Sequence, residues 1–246
     1  MRTRVFKYCK VDKYTRENLD KDQLYFNKPR NFNDPYEGIF RFDIQDINLK
    51  HKLLRSLYQH KYEELIGSKL PLDDLIEHTR IIYMNQFLNE MRLCCMSCIN
   101  DSILMWSHYA DQHKGICIEF DVNHDMLFKI GAEVNYSEVI PTLKFQSHDD
   151  ISDDKIVEKY STSVPTNKYI AWSYEKEYRL IRYLGEPTVN YNPKSIKAIY
   201  FGLRTRVEDI DKIKSILSNK ENVKFYRSDL QKNSYRFRFL DLTKSG

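Results

Sequence analysis

The chain has 246 residues, 41% hydrophobic and 30% charged, enough to bury a substantial core, and its seven Gly and seven Pro argue against low-complexity linkers. No apolar run is long enough to span a bilayer, which argues against a membrane protein. The net charge of +4 comes from 39 basic and 35 acidic residues spread along the chain, so it permits a polyanionic partner without specifying one.

Met1-Arg2-Thr3-Arg4-Val5 leads straight into a strand with no signal-peptide apolar region, so a cytoplasmic location is expected. Strands are predicted over Arg4 to Val11 and Gln23 to Asn27, separated by a helical turn around Tyr14 to Leu19. Asn31-Phe32-Asn33-Asp34-Pro35 then forms an ordered turn, in which Asn and Asp side chains can cap backbone amides and Pro35 fixes a bend. Leu49, Leu53, Leu54, Leu57, Tyr58, Tyr62, Leu65 and Ile66 recur at helical spacing, and a second helix runs from Pro71 through Tyr83 towards Met91.

Leu93 to Cys98 reads as a strand and Asp101 to Tyr109 as a short helix capped by Asn100 or Asp101, followed by a strand over Gly115 to Asp121. Cys9, Cys94, Cys95, Cys98 and Cys117 lie mostly in apolar runs, where reduced Cys behaves as a small hydrophobe. Cys95 and Cys98 have C-x-x-C spacing but no second ligand pair, so no metal site is expected. Trp106-Ser107-His108-Tyr109-Ala110-Asp111-Gln112-His113 concentrates aromatic and titratable groups just before the Gly115 strand. A hydrolase built here would use His108 or His113 as its base, with Cys95 or Ser97 as nucleophile.

The stretch Ile140 to Asn167 is polar, with a helix through Ile156, Val157 and Tyr160. Beyond it come strands Glu175 to Tyr183 and Ile196 to Phe201, a helix Val207 to Leu217, and strands Val223 to Tyr226 and Tyr235 to Leu240. If Tyr178, Leu180 and Leu184 face a core, the two-residue period of a strand sends Glu175, Glu177 and Arg179 together to the other face. Two carboxylates flanked by a guanidinium can hold a sugar hydroxyl and steer a nucleophile. The alternating arginines and aromatics of Tyr235-Arg236-Phe237-Arg238-Phe239 suit contact with phosphate and bases.

Phe6-Lys7-Tyr8, Leu24-Tyr25-Phe26, Phe32-Asn33-Asp34-Pro35-Tyr36-Glu37, Cys95-Met96-Ser97, Met105-Trp106-Ser107-His108-Tyr109-Ala110 with His113 and Gly115, and Trp172-Ser173 followed by Glu175, Glu177, Tyr178 and Arg179 resemble the landmarks of the bacterial family of domains of unknown function numbered 2971. More distantly, the order of a first strand with a polar residue and Tyr, a Ser-bearing middle strand and a late strand reading Glu-aromatic-x-aliphatic is similar to ADP-ribosyltransferases. That resemblance implies one α+β domain over residues 1–246, with a split, mainly antiparallel sheet, flanking helices, a helical insertion near 46–91 and a polar insertion near 140–167.

It further implies NAD as substrate, Lys7 or Tyr8 in the first-strand position where that family has His or Arg, Ser97 supporting the pocket, and Glu177 with Glu175 as the catalytic carboxylates. Tyr8 would stack on nicotinamide, Asn33 and Arg179 would hold phosphate or ribose oxygens, and Trp106 and Tyr109 would line the cleft. The implied function is ADP-ribosyl transfer to a macromolecular acceptor, nucleic acid or protein, in a toxin or antiviral defence effector with a possible antitoxin. The alternatives are a non-catalytic nucleic-acid or protein-binding module and, third, a metal-free nuclease or NAD hydrolase.

Overall fold

The computed structural model describes residues 3–243. In chain order its elements are β1 (Arg4–Cys9), α1 (Lys13–Asp20), β2 (Gln23–Tyr25), β3 (Arg41–Ile44), α2 (Ile47–Tyr58), α3 (Tyr62–Gly67), α4 (Leu72–Glu90) and β4 (Met91–Ser97). There follow α5 (Ile103–Tyr109), β5 (Ile116–Asp121), α6 (Met126–Lys129), β6 (Ala132–Glu133), β7 (Asn135–Ser137), β8 (Thr142–Phe145), α7 (Asp153–Ser163) and β9 (Asn167–Tyr169). The last are β10 (Glu177–Tyr183), β11 (Thr188–Asn190), β12 (Ile196–Phe201), α8 (Val207–Ile216), β13 (Lys224–Leu230) and β14 (Phe237–Asp241). Among the described residues no helix is long and apolar enough to cross a membrane.

The chain forms two compact units, one made of Met1–Asn27, Leu93–Val134 and Ala171–Gly246, the other of Lys28–Arg92 and Asn135–Ile170. The segments near 46–91 and 140–167 both belong to the second unit.

The fold is α+β. In the first unit the main sheet runs β14-β13-β12-β5-β1-β4-β10-β6 and is mainly antiparallel, with β12 and β13 parallel. Six register pairs join β1 to β5, from Arg4↔Asp121 to Cys9↔Ile116, whereas β1 meets β4 at Phe6↔Ser97. Side-chain alternation divides this sheet into two apolar faces. One carries Val5, Cys94, Met96, Ile118, Phe120, Tyr178 and Leu180 and is covered by Leu19 of α1, Phe128 of α6 and Ile210 and Ile213 of α8. The other carries Phe6, Tyr8, Cys117, Ala198 and Tyr200 and is covered by Met105 and Trp106 of α5.

In the second unit β3 pairs with β8 and β7 with β9, both in parallel. Its core is aromatic: Phe87 stacks on Tyr160 with ring centroids 3.8 Å apart, and Phe40 meets Tyr160 edge-on at 5.3 Å. Glycine suits position 38 of this unit, because its φ of +76° lies in the left-handed region that strains a residue with a side chain. The helical pattern from Leu49 to Ile66 is not one helix. Gln59 adopts φ +42°, and a 3₁₀ turn over Gln59–Lys61 separates α2 from α3.

Candidate active site

The site grows from the start of β10. Tyr178 and Leu180 enter the apolar core on one face, so Glu177 and Arg179 occupy the opposite one, shared with Phe6, Tyr8 and Ser97. That face is not solvated: Arg179 is 0% exposed and Glu177 4%. Arg179 donates from Nε to Glu177 Oε1 at 2.9 Å and from Nη2 to Oε2 at 3.1 Å, a bidentate grip that fixes the carboxylate plane.

Glu175 arrives by a different route from the expected strand. It ends a 3₁₀ turn over Ile170–Glu175, and Lys176 at φ +44° swings the chain into β10, which begins only at Glu177. The turn is tied to β4, since Ser97 Oγ donates to the Glu175 carbonyl at 2.6 Å and the Cys98 amide to the Lys176 carbonyl at 2.7 Å. The Glu175 side chain is buried as well, and its Oε1 accepts a short hydrogen bond from the Tyr109 hydroxyl at the end of α5. Leu184, expected to face the core, lies past the strand end at φ +62° and is exposed.

The remaining expected site residues separate by sheet face. Tyr8 shares the Glu177 face; its hydroxyl donates to the Ile99 carbonyl at 3.0 Å, and burial pushes that hydroxyl's pKa up. Lys7 alternates to the opposite face, where its Nζ donates to the Cys95 carbonyl at 3.2 Å. Burial disfavours the Lys7 charge, but the sulfurs of Cys94, Cys95 and Cys9 outweigh it and raise the pKa. Trp106 is fully buried core, donating to the Asn100 carbonyl at 2.8 Å and meeting Tyr8 edge-on at 5.3 Å. Asn33 is exposed and belongs to the second unit, where the next residues, Asp34, Tyr36 and Glu37, help line a cavity of about 480 Å³ with Lys168 and Tyr169.

Two arrangements escaped the sequence. Glu119 is a buried carboxylate on the Phe6 face, accepting from Tyr200 Oη at 2.6 Å and paired with Arg4 at 3.2 Å. A lone charge inside the apolar run Ile116-Cys117-Ile118-Glu119-Phe120 was its signal. Ser107 Oγ lies 2.9 Å from His113 Nε2, while His113 Nδ1 is buried without a hydrogen-bond partner. His113 closes a run of three left-handed residues with Asp111 and Gln112, at φ +45°, +54° and +69°, which nothing in their composition announces. Burial and nearby Arg204 hold its pKa below the usual imidazole value. For the third reading, then, the base His113 meets Ser107, not Ser97, which is committed to Glu175.

The edge strand β14 turns its aromatics inward: Phe237 is buried, Phe239 packs on Tyr200 at 4.8 Å, and Arg238 is paired with Asp229. Tyr235, just before the strand, is 96% exposed, and Arg236 is exposed as well.

Residues 105–180 match the family model described as "Protein of unknown function (DUF2971)". The matched span contains most of α5, all of β5 and the start of β10, hence Tyr109, Glu175, Glu177 and Arg179, and leaves Lys7, Tyr8 and Ser97 outside it. No curated protein and no solved structure matches the chain. The DUF2971 description carries no activity, so function rests on the chemistry of the cluster.

Proposed function

We propose that the first unit catalyses ADP-ribosyl transfer from NAD to a macromolecular acceptor, with Glu177 meeting the ribose and Glu175 the acceptor. The observation that carries this reading is the pair of buried carboxylates held by separate devices, Glu177 by Arg179, and Glu175 by Tyr109 at its carboxylate and by Ser97 at its main-chain carbonyl. A sheet in which β1 and β4 meet at Phe6↔Ser97, beside these groups, also suits a split-sheet transferase.

In the reaction the bond between ribose C1′ and the nicotinamide nitrogen breaks, and nicotinamide leaves neutral with the bonding electrons. The ribose acquires oxocarbenium character, so a carboxylate hydrogen-bonded to its 2′-hydroxyl interacts more strongly in the transition state than in the ground state. Glu177 takes that role because Arg179 fixes its plane before substrate arrives. The acceptor forms the new bond to C1′ and gives its proton to Glu175. Arg179 and Tyr109 position these carboxylates, Ser97 anchors the turn that carries Glu175, and Tyr8 offers a ring on the same face. The role that goes with this reading is that of a toxin or antiviral defence effector, with an antitoxin as partner.

The test is incubation of the purified protein with labelled NAD and cell extract, followed by separation of protein, nucleic acid and free ADP-ribose. Label on a macromolecule is expected. Free ADP-ribose alone would make the protein an NAD hydrolase, and absence of turnover would reject the reading.

A further inference from the structure

Helix α2 buries Leu49, Leu53 and Leu54, while His51, Lys52, Arg55 and Ser56 of the same helix are only partly buried or exposed. Together with Tyr62, His148 and their neighbours these line a cavity of about 700 Å³ within the second unit. Among the described residues, no Asp or Glu lines it. The nearby acids Asp46 and Asp150 are engaged elsewhere, Asp46 by the Asn48 amide at 2.7 Å and Asp150 by the Gln146 and Ser147 amides and by Lys159 at 3.0 Å. Asp149 and Glu63 adjoin lining residues in sequence but do not line the cavity.

The cationic groups are braced. Lys52 Nζ donates to the His148 carbonyl at 2.6 Å, which neutralises no charge and leaves two ammonium protons for a ligand. The Arg55 guanidinium lies 4.5 Å from the Tyr62 ring centroid, and stacking of this kind leaves its in-plane N–H donors available. Tyr62 is itself held by His51 Nδ1 at 2.8 Å. A braced guanidinium, an ammonium and two imidazoles around one cavity match the tetrahedral oxygens of a phosphate ester.

We propose that this cavity is a binding site for the phosphate ester of a nucleotide unit, supplied by a nucleic acid strand or by a free nucleotide. The inference stands on the second unit alone and does not depend on the transferase reading.

The experiment titrates the full chain with a fluorescent single-stranded oligonucleotide at several salt concentrations, and with AMP and inorganic phosphate as competitors. Binding that weakens at least tenfold in the Lys52→Gln/Arg55→Gln variant is expected, with a log-log salt slope shallower by about 1.4, since each lost phosphate contact on single strands accounts for about 0.7. Displacement by millimolar AMP and phosphate assigns the site to free nucleotides, and resistance to both assigns it to a strand. Arg55→Lys should restore only part of the affinity, whereas Lys155→Gln, at an exposed ion pair in α7, should bind as wild type. Unchanged affinity in a folded double variant for every ligand, or no binding by the wild type, overturns the proposal.

Discussion

Ser97 and Glu175 are 78 positions apart in sequence, yet the Ser97 hydroxyl donates to the Glu175 main-chain carbonyl at 2.6 Å and accepts from the Ile99 amide at 3.2 Å. One serine thus pins the turn that delivers the first carboxylate. Ser97→Ala leaves a buried carbonyl without this donor, which costs about 1–3 kcal/mol. Urea denaturation should show that loss. Under the transferase reading activity should fall as well, and Ser97→Thr, which keeps the hydroxyl, should recover part of it if the larger side chain is accommodated.

The Glu177–Arg179 pair makes an active-site test also a stability test. Removing one member takes a bidentate partner from the other's buried charge, at a cost of up to about 3–5 kcal/mol, whereas replacing both by apolar groups is milder. Glu177→Gln and Arg179→Met should therefore each lower the melting temperature more than the double variant does. If Glu177→Gln is assayed below its own melting transition, transfer should drop at least about a hundredfold, since only the carboxylate charge favours the oxocarbenium. Full activity in a folded Glu177→Gln protein would end the proposed role.

Glu175 offers a milder handle through Tyr109. Tyr109→Phe removes the hydroxyl that orients the Glu175 carboxylate and leaves the ring packed, so the protein should fold normally. Transfer to the acceptor should fall about tenfold while NAD hydrolysis persists. Equal loss of both reactions would mean the two carboxylates do not divide the labour.

How much of this was legible follows from how local each signal is. Alternation of Tyr178 and Leu180 with Glu177 and Arg179 identified β10 and its faces, because period-2 patterning belongs to the strand itself. Glu175 was misplaced because Trp172-Ser173-Tyr174-Glu175 reads like a continuation of that alternation. Hydrogen bonds from Ser97 and Cys98, far away in sequence, hold it instead in a 3₁₀ turn. Lys7 and Tyr8 were equivalent until pairing with β5 put Tyr8 opposite Cys117 and Lys7 opposite Ile118. The strands β3, β6 to β9 and β11 span two to four residues, too few to carry a period.

His113 predicts a pH dependence. Its folded-state pKa is lowered by burial and by Arg204, so the native state resists protonation that the unfolded chain accepts near pH 6.5. The contribution is fully present above that pH and is lost as pH falls through the folded pKa. Between pH 7 and 5.5, wild type should lose more stability than His113→Gln, compared by denaturant midpoints at each pH. Parallel loss in both proteins would remove His113 as the cause.

Three thiols should be chemically silent. Burial raises the pKa of Cys9 to about 11 and also raises those of Cys94 and Cys117. At pH 8 an alkylating reagent should leave these three largely unmodified in the native protein and label them on unfolding, as read by peptide mass spectrometry. Rapid native labelling of Cys117 would contradict the packing around Tyr8.

The order in which the chain is made bears on the sheet described above. Strand β1 sits in the middle of the sheet, yet its partner β5 is synthesised more than 100 residues after it. Until then the β1 edge that takes up β5, with its six register pairs, has no native partner, and the second unit begins to emerge in the interval. Chaperone demand during synthesis should accordingly peak before residue 121. Chains truncated between β4 and β5 should aggregate, while those extended past β12 regain solubility.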